Sequence, residues 1–241
     1  MEVSTQFNIQ QAFVTTSEDT VKIWKTIENK GMLVKATVNC SDGLIRNFQD
    51  SEMLAQYENP PRASITSLEI AGYCHKPYAT ATVTLGSGRF LSSPVSVSIR
   101  GEEDLVASMR TTLTDTLDGM RPWYSRIATL DMLSVWLFIF MILVWLALTM
   151  GLLTLNMQPT PVISFKKALP ILIISGAEVG LFYAVIRGVN WLLKYIFPVT
   201  TFAIGQGIRR HHHYEQIRWV VIVGFLVSVV ASIFVTILPT A

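Results

Sequence analysis

The chain has 241 residues, of which 51% are hydrophobic and 15% charged, with a formal net charge of +2. Its length admits one or two domains. Its only cysteines, Cys40 and Cys74, are too few and too far apart for a zinc site, and in a reducing compartment they are expected as free thiols packed in the fold. The charge is unevenly spread. Residues 1–130 hold 12 Lys/Arg and 14 Asp/Glu, a net of −2, whereas residues 131–241 hold 7 Lys/Arg and 3 Asp/Glu, a net of +4. The first part has an ordinary soluble composition, and its negative balance gives no electrostatic encouragement to nucleic-acid binding. The second part is dominated by long apolar runs. The chain is therefore expected to divide into a soluble domain over residues 1–126 and a transmembrane domain over residues 127–241.

The N-terminus, MEVSTQFNIQQ, is polar and carries neither the basic nor the apolar region of a signal peptide. The soluble part is therefore expected in the cytosol. Residues 11–15 read as a short strand. Ser17 is the expected N-cap of a helix over 18–29, with Glu18 and Asp19 in its first turn. In that helix Val21, Trp24 and Ile27 share one side, and Lys22, Lys25 and Glu28 point outward. Gly31 ends it. MLVKATVNC alternates like a strand, Asp42-Gly43 is a hairpin turn, and LIRNF returns. A short helix over 50–57 stops at Asn59-Pro60-Pro61. Strands follow at 65–73, 78–86 and 94–101. Alternation in the last two gives an apolar face of Ala79, Ala81, Val83, Leu85, Val95, Val97 and Ile99 against a Thr/Ser face, which points to antiparallel pairing with one side packed. A helix over 102–118 presents Leu105, Met109, Thr112, Leu113 and Leu117 inward. The order is β-α-β-β-α-β-β-β-α, an α+β domain with helices on one face of a mostly antiparallel sheet. It contains no phosphate-binding loop, nucleotide fingerprint or nucleophile motif, so a binding or sensing module is expected rather than an enzyme, with no cofactor.

Arg121-Pro122-Trp123-Tyr124 and Arg126 lead into residues 132–155, which hold no charge and are long enough to cross a hydrocarbon core of about 30 Å. Residues 219–238 are a second spanning candidate, preceded by Arg209, Arg210 and Arg218. Basic residues concentrate on the cytosolic side, so both helices are expected to start inside. That requires a third crossing between them, at 169–188. The rival is a two-crossing hairpin in which this middle segment lies in the interface. Together the three segments form an expected all-α transmembrane bundle. Arg121, Arg126, Arg209, Arg210 and Arg218 are expected near anionic headgroups.

The middle segment carries Glu178 amid apolar neighbours. A charge at membrane depth costs about 2.5–3.5 kcal/mol on insertion scales, so such residues are functional candidates by default. A protonated, hydrogen-bonded glutamate and a glutamate at the wet surface are the structural alternatives. Gly176, Gly180, Ala184 and Gly188 recur every fourth residue, and Gly224, Ser228 and Ser232 make a similar stripe in the last helix, as close helix packing requires. Glu178 points away from the first stripe. Arg187 lies nine positions on, about 13 Å along the axis, too far for a pair within one helix. His211, His212 and His213 are adjacent, and neighbours on a helix point in different directions, so a polar juxtamembrane segment is expected there rather than a metal site.

In overall plan the chain resembles the small membrane effectors of bacterial anti-phage systems, such as retron-associated ones, in which a cytosolic sensor is joined to a short transmembrane bundle. The resemblance spans the whole chain loosely and transfers no functional residue. It implies an inner-membrane effector that homo-oligomerises and perturbs the bilayer when the soluble domain meets a protein, nucleic-acid or small-molecule trigger. A membrane-anchored adaptor or receptor is the alternative.

Overall fold

In the computed structural model, described residues are 1–76, 78–86, 93–129, 136, 137, 139–141 and 183–237, with backbone alone over 233–237. By internal contacts the chain separates into one unit of Met1–Thr129 with Ile196–Ala241 and another of Leu130–Tyr195.

The first unit is built on six antiparallel strands: β1 (Glu2–Ile9), β3 (Leu33–Cys40), β4 (Ile45–Phe48), β5 (Ile65–His75), β6 (Tyr78–Leu85) and β7 (Val95–Glu102), in the spatial order β1-β7-β6-β5-β3-β4. The registers Ala36↔Ile70, Ile70↔Val83 and Val83↔Val97 line up the apolar positions of neighbouring strands. One sheet face is therefore a continuous layer of buried Ala36, Val38, Leu68, Ile70, Ala81, Val83, Val97 and Ile99. Two helices seal it. α1 (Ser17–Glu28) contributes Ile23, Trp24 and Ile27, and α3 (Glu103–Gly119) contributes Val106, Met109, Leu113 and Leu117. Gly72 lets α1 close on the sheet, because a Cβ there would collide with the Ile27 side chain. α2 (Ser51–Ala55) starts on Asp50, whose carboxylate accepts the Glu52 N–H.

The expected α+β architecture holds for this unit, with local corrections. Thr16, not Ser17, caps α1: its extended backbone aims its hydroxyl at the Asp19 N–H, and Asp19 answers on the Thr16 N–H, a capping box. Val21 is only half-buried and Thr112 is exposed; Ile23 and Val106 take the inward positions. The polar N-terminal segment, to which the expected element order assigns no strand, is β1, paired with β7 along eight residues. The strand expected at 11–15 is β2 (Phe13–Thr16), and it lies outside the large sheet.

β2 pairs in parallel with β8 (Thr200–Ala203), from the far side of the apolar runs. Phe202 and Ile204 thereby join the core of the N-terminal domain. Gly205, in the left-handed region at φ +51°, turns the chain into α5 (Gln206–Ile237), which runs without a break through the stretch expected to be a connection before residue 219. Within α5, Gln206–Ser232 is long and apolar enough to cross a membrane, and among the described residues it stands alone in this. These residues therefore do not support an all-α transmembrane bundle. The spanning segments expected at 132–155 and 169–188 lie largely outside the described residues. In the second unit, residues 183–195 are helical, and the rings of Trp191 and Tyr195 stack 5.8 Å apart.

Candidate functional site

Three stretches of the first unit converge where α5 begins: the end of α3 with α4 (Ser125–Ala128), the returning segment 196–205, and the first turns of α5. Short polar contacts fasten the first stretch to β2 and the two residues before it. Gln11 Nε2 donates to the Leu117 carbonyl at 3.3 Å, the Ala12 N–H donates to Ser125 Oγ at 2.9 Å, and the Val14 N–H donates to the Met120 carbonyl at 2.9 Å. The returning segment is fastened by the Phe13 N–H, which donates to the Val199 carbonyl at 3.0 Å, and by the edge-to-face pair of Phe13 and Phe202.

Asn59 is the hub of this region. It is 1% exposed and adopts φ +47°, a conformation asparagine tolerates better than most residues. Its Nδ2 donates to the Phe202 carbonyl at 3.0 Å and its Oδ1 accepts from the Ile65 N–H at 2.9 Å. Its own carbonyl accepts from Arg210 Nη2 at 2.9 Å. One buried residue thus ties the α2–β5 connection to β8 through its side chain and to α5 through its carbonyl. Beside it the Gln206 N–H donates to the Glu58 carbonyl at 2.7 Å. The backbone of Tyr57 and Glu58 comes so near Gly205 that a Cβ would stand 2.5 Å from the Glu58 oxygen.

Arg218 lies three turns further along α5 and has 0% exposure. Its Cζ sits 4.1 Å over the centre of the Tyr124 ring, and its Nε donates to the Ile196 carbonyl at 2.7 Å. Among the described residues Nη1 and Nη2 make no well-formed hydrogen bond, nor do Tyr124 Oη, Thr201 Oγ1 and His211 Nδ1. Burial pushes the Tyr124 phenol pKa up, although Arg218, through its charge, and Thr201 lie near enough to the hydroxyl to pull it down. Phe197 packs on Tyr124 at 5.8 Å, and Trp123 faces Trp219 at 5.8 Å. These two indoles are 51% and 57% exposed. Beyond Trp219 the helix surface becomes apolar and exposed through Val220, Val221, Val223 and Phe225.

The residues expected to matter fall in different places. Glu178, Gly176 and Gly180 lie outside the described residues. Ala184 and Gly188 are exposed, and a Cβ on Gly188 or on Gly224 would meet nothing within 4 Å. Ser228 and Ser232 donate back to the carbonyls of Gly224 and Ser228 in their own helix. Arg187 is exposed and reaches the Tyr183 hydroxyl at 3.5 Å. Arg121, Arg126 and Arg209 are exposed. Two of the arginines expected at headgroups are otherwise engaged in this arrangement: Arg210 holds the Asn59 carbonyl, and Arg218 is enclosed by Tyr124 and Ile196. The three adjacent histidines are on α5, with His211 Nε2 3.8 Å from Glu215. Among the described residues no group of three His, Cys, Asp or Glu side chains is placed to hold a metal.

Asn59, Tyr124, Ile196 and Gly205 carry the site and were not expected to. The available signals are an asparagine ahead of a Pro-Pro pair, which marks the stop of a short helix, and the glycines on either side of Gln206, which mark a turn or hinge. Comparison with family models, curated proteins and solved structures finds no match.

Proposed function

We propose that this chain is a bilayer effector of the inner membrane in which a cytosolic α+β domain grips the roots of its membrane segments. The carrying observation is the docking of β8 on β2. It brings the chain back to the domain after residues 130–195, so that Thr129 and Ile196 belong to one unit. An excursion that leaves a domain and returns to it crosses a bilayer an even number of times. The apolar runs 132–155 and 169–188 supply two crossings, and α5, which starts in the domain, supplies a third. The reading is therefore multi-pass, with the N-terminal domain inside and the C-terminal end of α5 outside. The two-crossing hairpin, in which the last helix begins outside, accords less well with a helix whose first turns are held by the domain.

A domain holding all three roots is placed to transmit a binding event into the membrane part. The trigger is a protein, nucleic acid or small molecule. The open face of the sheet, with exposed Leu33, Tyr73 and Tyr78, is free to receive it. The output is rearrangement of a homo-oligomeric bundle and loss of the permeability barrier, as in the anti-phage effectors the chain resembles, with Glu178 on the polar path.

The test is membrane potential in bacteria expressing the full chain, Asn59→Ala and Glu178→Gln combined with Asn59→Ala. Loosening the grip through Asn59→Ala is expected to depolarise the cells, and adding Glu178→Gln at equal membrane levels is expected to reverse much of that. Polarised cells for all three, at verified levels, would leave the membrane part as an anchor for an adaptor.

A further inference from the structure

Arg218 carries its charge where water does not reach. A buried guanidinium is unfavourable unless carboxylates or several acceptors replace its lost hydration. Here it has one acceptor, the Ile196 carbonyl, and the face of the Tyr124 ring. Neither terminal nitrogen makes a well-formed hydrogen bond to a described residue. The nearest acid on α5 is Glu215, three residues earlier, and its carboxylate lies by His211 at 3.8 Å; no ion pair joins it to Arg218. Among the described residues the enclosed position is thus under-satisfied, with no well-formed hydrogen bond from either Nη1 or Nη2.

The place of Arg218 along α5 says what could satisfy these nitrogens. Trp219 follows immediately, beside Trp123, and both indoles are largely exposed. Paired exposed indoles at the start of an apolar helix surface mark headgroup depth. Arg218 is one residue, about 1.5 Å of rise, from that level. Arginine side chains are long enough to reach headgroups from such a position.

We propose that Arg218 has two positions: the enclosed one on Tyr124 and Ile196, and a released one in which Nη1 and Nη2 together donate to an anionic lipid phosphate. The proposal rests on the membrane reading of α5 given above. A guanidinium presents two parallel N–H groups that match a phosphate, so one ligand supplies both missing acceptors at once. Release frees the Ile196 carbonyl at the root of the returning segment. Three residues later Val199 begins the docking of β8 on β2. Arg218 therefore links headgroup charge to the hold of the domain on β8.

The experiment measures hydrogen exchange of the Thr200–Ala203 amides in the full chain, reconstituted in nanodiscs of phosphatidylcholine alone or with phosphatidylglycerol added. Exchange of these amides is expected to be severalfold faster in the anionic discs, with the β5–β6 amides unchanged as a gauge of folding. Arg218→Gln should make the two discs alike. Arg218→Lys, which keeps the charge without the fork, should retain only part of the difference and stands in if the glutamine variant does not fold. Inorganic phosphate added to neutral discs should have little effect; acceleration equal to that in anionic discs would overturn the headgroup assignment. Equal wild-type exchange in both discs, or a difference that survives Arg218→Gln, would overturn the two-position device while leaving the membrane reading intact. A chain that inserts in neither disc overturns both.

Discussion

The N-terminal unit contains two sheets of opposite character. The six-stranded sheet is held by area: every neighbouring pair is antiparallel, and its apolar face is covered by α1 and α3. The two-stranded sheet of β2 and β8 has four residues per strand and runs in parallel, the arrangement that is slightly less stable per residue and needs an α-helical or long crossover. A lone pair of strands is marginal in water. This one persists through point contacts: the Phe13–Phe202 ring pair, the two hydrogen bonds of the Asn59 side chain, the close approach at Gly205 and the Arg218 bond to Ile196. Area resists local loss, since removing one side chain leaves the others buried. Point contacts fail one at a time. The contrast places the stability of the fold in the large sheet and its capacity to open in the small one.

The sharpest way to probe the contrast is to damage each side separately. Leu68→Ala removes a fully buried side chain from the centre of the large sheet and is expected to cost about 2–5 kcal/mol. Urea unfolding of the detergent-solubilised full chain, followed by near-ultraviolet circular dichroism, measures it; a much smaller loss would show that the sheet is not the reservoir of stability. Asn59→Ala strips two buried hydrogen bonds and is expected to cost about 1–3 kcal/mol. Its effect should be local, with proteolytic cutting inside residues 196–208 before the large sheet gives way. Simultaneous loss of both would merge the two sheets into one cooperative unit and end the comparison. Thr16→Ala removes the capping box and is expected to cost about 1 kcal/mol. It should lower the global unfolding midpoint without exposing β8 to protease, because the cap steadies α1 over the large sheet.

The two sheets also differ in how readable they were. Alternation of Ala79, Ala81, Val83 and Leu85 against threonines is a local signal, and the register with Val95, Val97 and Ile99 follows from matching buried faces. β1 was missed because Thr5 stands among Val3, Phe7 and Ile9 and because an edge strand half-buries its inner side. β8 gave no such signal. Four residues carry almost no period, and their partner is β2, far away in the chain. What fixes that pairing is a set of side-chain and backbone contacts to Asn59, Glu58 and Met120 that no spacing encodes. Arg218 stands just before an apolar run, a pattern that suits an arginine near anionic headgroups. Its enclosure depends on Tyr124 and Ile196 arriving from elsewhere in the chain.

The return of β8 also sets an order of events during synthesis. Phe13 cannot find Thr200 until every residue between them has been made, and those residues include the long apolar runs that follow residue 131. At about 5–20 residues per second the wait is of the order of ten seconds or more. During that time the large sheet, whose strands all precede residue 103, can assemble on its own, while Phe13 and the backbone around Asn59 wait for their partners. Closure of the domain is therefore a late step that follows synthesis of the apolar runs. A nascent chain stalled before residue 200 would carry a finished sheet and an open seam, and such a seam is what quality-control chaperones and proteases bind.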